Sequence, residues 1–118
     1  MTRPFRKRFV RFWPNTTIFK PVGVPVRMLE SIQLEADELE AIRLKDVENL
    51  EQEEVAKKMK ISRPTVVRIL KSARKKITDA LVNGKAIEII SGQNANFTPK
   101  LKRRLGIKRG FGRYPQNI

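Results

Sequence analysis

The chain contains neither cysteine nor histidine. Disulfide bonds are therefore excluded, and so are thiol nucleophiles, the commonest ligands of transition metals and the side chain that most often acts as a general base near neutral pH. No glycine-rich phosphate-binding loop occurs either. From these absences we expect a protein that is not an enzyme and that needs no metal or other cofactor.

Long apolar stretches are missing as well. No run approaches the roughly 18 consecutive apolar residues of a membrane-spanning helix. The N-terminal segment is basic and lacks the uncharged core of a signal peptide. We therefore expect a cytoplasmic protein that does not enter a membrane, and the lack of cysteine agrees with a reducing compartment.

Acidic residues are absent from both ends of the chain. Residues 1–29 and 89–118 each carry seven Arg or Lys and no Asp or Glu. The twelve acids of the middle segment are balanced by twelve bases, so the net charge of +14 belongs entirely to the two ends. Residues 30–54 are predominantly acidic and residues 55–88 predominantly basic. This distribution favours a polyanionic partner, while the carboxylates are expected to form a solvated helix face.

The stretch Gln52–Leu70 has the spacing of a helix-turn-helix. Its apolar residues recur at three- and four-residue steps on either side of a turn, which predicts two crossing helices: Val55, Met59, Ile61, Val66, Ile69 and Leu70. Ser62 can cap the second helix, and Pro64 is tolerated in its first turn. Asn83 and Gly84 are a typical helix end, so the second helix is expected to run that far.

The outward face of this second helix is basic, and it carries the predicted DNA contacts Arg63, Val67, Arg68, Lys71 and Lys75. Arginine can bridge guanine O6 and N7 in the major groove, and valine can pack on a thymine methyl group. The alternative is a solvated amphipathic hairpin inside a larger helical core. The combined spacing and charge favour DNA binding.

The chain divides by composition into three segments: a basic, aromatic arm (1–33), a helix-turn-helix domain (34–92) and a basic tail (93–118). The basic tip of the arm is predicted to contact a groove or phosphates: Arg3, Arg6, Lys7 and Arg8. The aromatic residues of the arm, including Trp13, are expected to pack on the helical core. The tail is expected to lack structure of its own, apart from a short turn formed on binding.

The expected fold is all-α. A first helix is predicted over Leu34–Lys45, and a single short strand over residues 86–90 follows the long last helix. A lone strand is unstable in water, so this strand should pair with residues 8–12 or with its copy in a second subunit. A homodimer is also expected because one helix-turn-helix reads few base pairs.

The run DELEAIRLKDVENLEQEEVAKKMKISRPTVVRILKSARKKITDAL resembles the fourth-region domain of bacterial sigma factors, which reads the −35 promoter element. Over residues 3–92 the chain more closely resembles a family of small prokaryotic proteins predicted to bind DNA, the domain of unknown function 134 family. Short motifs along the chain carry this resemblance: Arg3-Pro4, Phe19-Lys20-Pro21, Asp37–Ala41, Gln52–Glu54 with Ala56, Ser62-Arg63 with Thr65, Ala73–Lys76 and Gly84–Ala86.

The resemblance implies that Arg63, Val67, Arg68 and Lys71 face the groove, with Ser62 at the helix start. It also implies that Gln52 lies near a phosphate at the entry of the first helix. Two positions depart from the family pattern. Glu51 stands where the family pattern has a serine cap, which should weaken the start of that helix. Lys60 stands where the pattern has a glycine, so a positive φ there would be strained.

These features together predict a protein that binds double-stranded DNA and regulates transcription. Three alternatives stay open from the sequence. Basic arms with aromatic residues also suit an accessory protein that binds folded RNA. The sigma-like core suits a module that binds RNA polymerase and touches DNA only incidentally. A structural module with solubilising ends is the third alternative.

Overall fold

Three strands, three α-helices, two more strands and a last α-helix follow one another in the part of the chain that the computed structural model describes, residues 8–106. The strands are β1 (Arg8–Val10), β2 (Ile18–Phe19), β3 (Ser31–Glu35), β4 (Ala86–Ile90) and β5 (Ala95–Phe97). The α-helices are α1 (Ala36–Ile42), α2 (Gln52–Met59), α3 (Arg63–Asn83) and α4 (Pro99–Leu105), with a 3-10 turn at Val26–Met28 and a π-helical turn at Arg43–Val47. Helices hold 52% of the described residues and strands 18%, so the predicted all-α class is wrong and the fold is mixed.

Two small sheets account for the difference. In the three-stranded sheet β4 is central, antiparallel to β2 and parallel to β3. In the second sheet β1 runs parallel to β5. The prediction that β4 pairs with residues 8–12 or with a second subunit is wrong, because β2 and β3 already occupy both of its edges. The alternation Ser31-Ile32-Gln33-Leu34-Glu35 is the signal that identifies β3.

Helix α1 begins later and ends earlier than the predicted range. Glu35 is its N-cap residue, and its side chain and that of Glu38 form a reciprocal capping box in which the Glu35 N–H donates to Glu38 Oε1 at 3.0 Å. Beyond Ile42 the chain continues as the π-helical turn up to Val47. Asn49 then adopts a left-handed conformation with φ 60°, which a short polar side chain tolerates.

The helix-turn-helix boundaries follow the local capping signals. The expected weak start of α2 is wrong, because Glu51 and Glu54 form a capping box in the same way as the pair that opens α1. Lys60, which stands where the family pattern has a glycine, adopts a positive φ of 57°. Ser62 caps α3, its Oγ accepting the Thr65 N–H at 3.4 Å, and α3 runs for 21 residues to a left-handed Gly84.

Helix α3 connects two clusters of the core. Its first half packs on α2 through side chains that are at most 7% exposed: Val66, Ile69 and Leu70 against Val55, Ala56 and Met59. Farther along, Ala73 belongs to a second cluster built from both ends of the chain, with Val10, Trp13, Leu34, Ile89, Phe97 and Leu101. Trp13 packs edge-on against Phe97, with ring centroids 5.9 Å apart, which confirms that Trp13 anchors the arm.

Segments on both sides of the helix-turn-helix contribute to the fold. Residues 8–33 supply β1, β2 and part of β3, and residues 93–106 supply β5 and α4. The expected lack of structure in the tail is wrong for α4, because Leu101 is only 4% exposed in the second cluster. No helix within residues 8–106 combines the length and the apolar character that crossing a bilayer requires.

Candidate nucleic-acid interface

The first four turns of α3 separate apolar and basic side chains onto different faces. Val66, Ile69 and Leu70 are buried, at 0%, 7% and 2% exposure. The predicted contact residues of this helix are all exposed: Arg63, Val67, Arg68, Lys71 and Lys75. Val67 is 44% exposed although it is β-branched and apolar. The helix therefore presents a basic surface with one apolar side chain in it.

A hydrogen bond joins the beginnings of the two helices. Arg63 Nε donates to Gln52 Oε1 at 3.2 Å, across the turn that separates α2 from α3. Gln52 is half-buried and Arg63 is exposed. The predicted phosphate contact at Gln52 thus lies beside the first residue of α3, and the two side chains are held as a unit.

Arg68 is oriented by the residues that open α3. Its guanidinium Nη2 donates to Thr65 Oγ1 at 3.2 Å, and Thr65 Oγ1 lies 2.8 Å from Ser62 Oγ. The Ser62 hydroxyl also accepts the Thr65 N–H, so its predicted DNA contact competes with capping. Arg68 has no acidic partner within the described part of the chain.

The lysines of α3 fall into two groups. The side chains of Lys71 and Lys75 form no hydrogen bond or salt bridge with any residue in the range 8–106. Lys76, by contrast, donates to Glu38 Oε1 at 2.8 Å and to the Gln33 carbonyl at 2.9 Å. Arg74 likewise forms two bonds to Asp46, the shorter 2.7 Å long. The cations on the flanks of α3 therefore bind carboxylates of the fold, whereas the outward cations are exposed to solvent.

The N-terminal candidates are divided by the limits of the described residues. Arg3, Arg6 and Lys7 lie outside residues 8–106. Arg8 is described, with a side chain only 12% exposed and its Nε 3.8 Å from Asp37 Oδ2. It lines an open cleft of about 180 Å³ together with Thr65, Arg68, Ser72 and Asn94, and three acidic residues line the same cleft: Glu35, Asp37 and Glu38. Arg8 is therefore engaged by the fold, at a point directly beside the recognition surface of α3.

Three buried carboxylates of α1 were not anticipated. Asp37, Glu38 and Glu40 are 4%, 6% and 2% exposed, so the predicted solvated acidic face is wrong. Glu38 accepts hydrogen bonds from Ser72 Oγ at 2.5 Å and from Lys76, which ties α1 to the recognition helix. Local spacing carries no signal for this arrangement, since the partners lie 34 and 38 residues away.

The carboxylate of Asp37 has a perturbed affinity for protons. Burial raises its pKa above the ordinary value of 3.8, and the nearby charges of Glu35 and Glu38 raise the pKa further, against an opposing effect from Arg8. Asp79, near the far end of α3, behaves in the opposite way. Hydrogen bonds from Lys85 and Asn83 lower the pKa of that carboxyl.

Comparison with known families agrees with the resemblance seen in the motifs. Residues 1–97 match the model of the family described as "Protein of unknown function DUF134". The chain belongs to the DUF134 family. The matched range contains every residue of the α2–turn–α3 unit and ends at Phe97, the last residue of β5.

Curated relatives of this DUF134 chain are UPF0251 proteins. One from Caldanaerobacter subterraneus is 54% identical over 114 residues, covering 97% of each chain. Another, from Moorella thermoacetica, is 56% identical over 107 residues, covering 90% of this chain and 72% of the relative. A third, from Clostridium beijerinckii, is 50% identical over 101 residues, covering 86% and 66%. No solved structure was found to match the chain.

Proposed function

We propose that this protein binds double-stranded DNA in a sequence-specific manner through α2 and α3, and that it regulates transcription. One observation carries the proposal. The exposed face of α3 holds Val67, Arg68, Lys71 and Lys75, and none of the three cations forms a salt bridge within residues 8–106. Only Lys75 has an acid along the helix, Asp79 four residues on, with which it interacts through its charge without a salt bridge. A solvated helix face of structural origin would instead intersperse its cations with acids.

The dimensions and chemistry of α3 suit the major groove, which is about 12 Å wide and admits one α-helix. Arg68 lies in the second turn, where a guanidinium group can reach the acceptor edge of guanine, and exposed Val67 offers a surface to a thymine methyl. Lys71 and Lys75 lie farther along the helix, where the phosphate backbone passes. Gln52 and Arg63 would then meet a phosphate at the edge of the groove.

Charge beyond the helix supports the same partner. The excess of fourteen positive charges belongs to the two ends of the chain, and such an excess increases the rate of encounter with a polyanion. Arg8 begins the described chain next to Thr65 and Arg68. We propose that the basic residues that precede it in the sequence, Arg3, Arg6 and Lys7, bind the adjacent groove or phosphates.

The test is a selection of bound fragments from random duplex DNA, followed by affinity measurements on Arg68→Ala and Lys75→Ala. Arg68→Ala should weaken binding to the selected site by roughly 1–3 kcal/mol and relax the preference at one base pair. Lys75→Ala should weaken binding to all duplexes equally and reduce the salt slope by about one unit. Equal losses on selected and scrambled duplexes for both variants would mean that α3 does not read bases.

Assembly is a separate part of the proposal. Because one α3 reads few base pairs, we propose a symmetric dimer whose recognition helices lie about 34 Å apart, one turn of duplex, or a multiple of it. Pairing of β4 gives no support, since both of its edges are filled within one chain. Light scattering at micromolar concentration tests the dimer, and a monomer with a non-palindromic selected site would refute it. Pull-downs after nuclease treatment test whether RNA polymerase is the partner, and competition with folded RNA tests whether RNA is the partner.

A further inference from the structure

Helix α4 concentrates charge of one sign on one of its faces. Its seven residues include four cations and no acid. Leu101 is 4% exposed in the core and Leu105 packs against the same cluster, which turns the other side of the helix outward. Lys100, Arg103 and Arg104 are exposed and lie at i, i+3 and i+4, the spacing of neighbours on one helix face.

The fold does not use these three cations. Within residues 8–106 they form no hydrogen bond or ion pair, whereas other cations of the chain each face a carboxylate: Arg8, Arg43, Arg74, Lys76 and Lys85. The last acid of the sequence is Glu88, before α4 begins. Like charges at i+3 and i+4 repel one another and destabilise a helix. An anionic partner that lies along this face offsets that repulsion.

The path of the chain places α4 close to the recognition surface. Asn94 lines the same cleft as Thr65 and Arg68, and β5 starts at the next residue. Three strand residues span about 10 Å at 3.3 Å per residue, and Thr98 then caps α4. The start of α4 thus lies within roughly 15 Å of that cleft, a distance comparable to the 12 Å width of the major groove. Phosphates border the groove at this distance.

From this arrangement we propose that the face formed by Lys100, Arg103 and Arg104 binds phosphates of duplex DNA next to the base pairs that α3 contacts. The inference rests on the proposed function and adds to it a second binding surface. The planar guanidinium groups of Arg103 and Arg104 match phosphate oxygens in a bidentate manner. Contacts of this kind strengthen binding and fix its register without reading sequence.

The experiment compares two double variants of the full chain that each remove two exposed positive charges. One is Arg103→Gln with Arg104→Gln, and the matched control is Lys20→Gln with Arg27→Gln, in the segment around β2. Affinity for the selected duplex is measured between 50 and 200 mM salt. Each lost phosphate contact reduces the salt slope by about 0.9. Between 50 and 200 mM salt, the affinity of the wild type should therefore fall by a factor about 12 times larger than the affinity of the α4 variant. The base preference of the α4 variant should be unchanged, and the control should behave as the wild type.

An unchanged slope in the α4 variant, or an equal change in both double variants, would overturn the proposal. Stronger competition by folded RNA than by duplex DNA, abolished by the α4 substitutions, would also overturn it. Failure of the proposed function would give a different result. The wild-type chain would show no base preference, while its salt slope would still depend on α4. Melting curves check folding, and Lys100→Gln alone provides a milder variant with an expected slope change of about 0.9.

Discussion

Helices α1 and α3 are both rich in charge, but they place it in opposite environments. Helix α1 buries Asp37, Glu38 and Glu40, and each of these carboxylates faces a cation. Helix α3 keeps Lys71 and Lys75 in solvent without hydrogen-bonded partners among the described residues. The carboxylates of Glu38 and Glu40 thus link α1 to other parts of the fold, whereas the cations at the outer face of α3 are the ones proposed to contact DNA.

The position of α1 in the fold explains why its acidic side chains are buried and why cations lie beside them. Helix α1 packs against both β1 and α3, so its side chains meet groups from three parts of the sequence. Glu40 accepts the Arg11 N–H at 3.2 Å and pairs with Arg43 at 3.0 Å. Buried charges are tolerated only when such partners satisfy them. In the part of the chain that the structure describes, the outward residues of α3 are exposed, and this environment leaves long cationic side chains solvated.

The largest expected effect comes from removing a buried carboxylate of α1. Glu40→Ala should reduce the free energy of unfolding by about 3 kcal/mol, because the Arg11 N–H and the Nε and Nη2 of Arg43 lose their buried acceptor. Glu48→Ala is a matched control, since Glu48 also pairs with Arg43, at 3.5 Å, but its side chain is 52% exposed. Its removal should cost less than about 1 kcal/mol. Urea unfolding measures both, and similar losses would contradict the distinction between the two environments.

A smaller effect separates two adjacent lysines of α3. Lys76→Ala leaves the buried Glu38 carboxylate without its cation and should lower stability by roughly 1–3 kcal/mol. Lys75→Ala should leave the melting temperature nearly unchanged and weaken DNA binding instead. Thermal unfolding and duplex affinity, measured on both variants, test this division. A loss of DNA affinity confined to Lys76→Ala, at unchanged stability, would reverse the assignment of the two side chains.

The smallest expected effect is a difference in pH dependence between two aspartates. The folded-state pKa of Asp37 is raised, so its contribution to stability is fully present below pH 3.8 and is lost as the pH rises through the folded-state pKa. The Asp37→Asn variant should lack this loss. Asp79 has a lowered pKa, so its contribution is present above pH 3.8 and is lost as the pH falls through the lowered value.

Denaturant unfolding at a series of pH values between 2 and 7 measures both contributions. Relative to the wild type, Asp37→Asn should gain stability as the pH rises, whereas Asp79→Asn should lose its disadvantage as the pH falls. Parallel curves for the wild type and Asp37→Asn over the whole range would show that the Asp37 carboxyl titrates alike in the folded and unfolded states.

The amino-acid sequence by itself determined the local parts of this protein. The three- and four-residue spacing of Val66, Ile69 and Leu70 identified the inner face of α3, the Ser62 hydroxyl its start and Gly84 its end. The same spacing identified the exposed basic face, because residues three and four positions apart lie on the same face of a helix. These features depend on residues a few positions apart, which is the range over which helix geometry acts.

Only the tertiary structure decided the sheets and the state of the acidic side chains. Strand β4 pairs with Ile18 and Phe19 and with Ser31–Glu35, segments more than fifty residues away in the sequence. Whether Glu38 is solvated or buried depends on Ser72 and Lys76. Pairing and burial arise from contacts between segments that the chain brings together only on folding, and no local pattern specifies which segments meet.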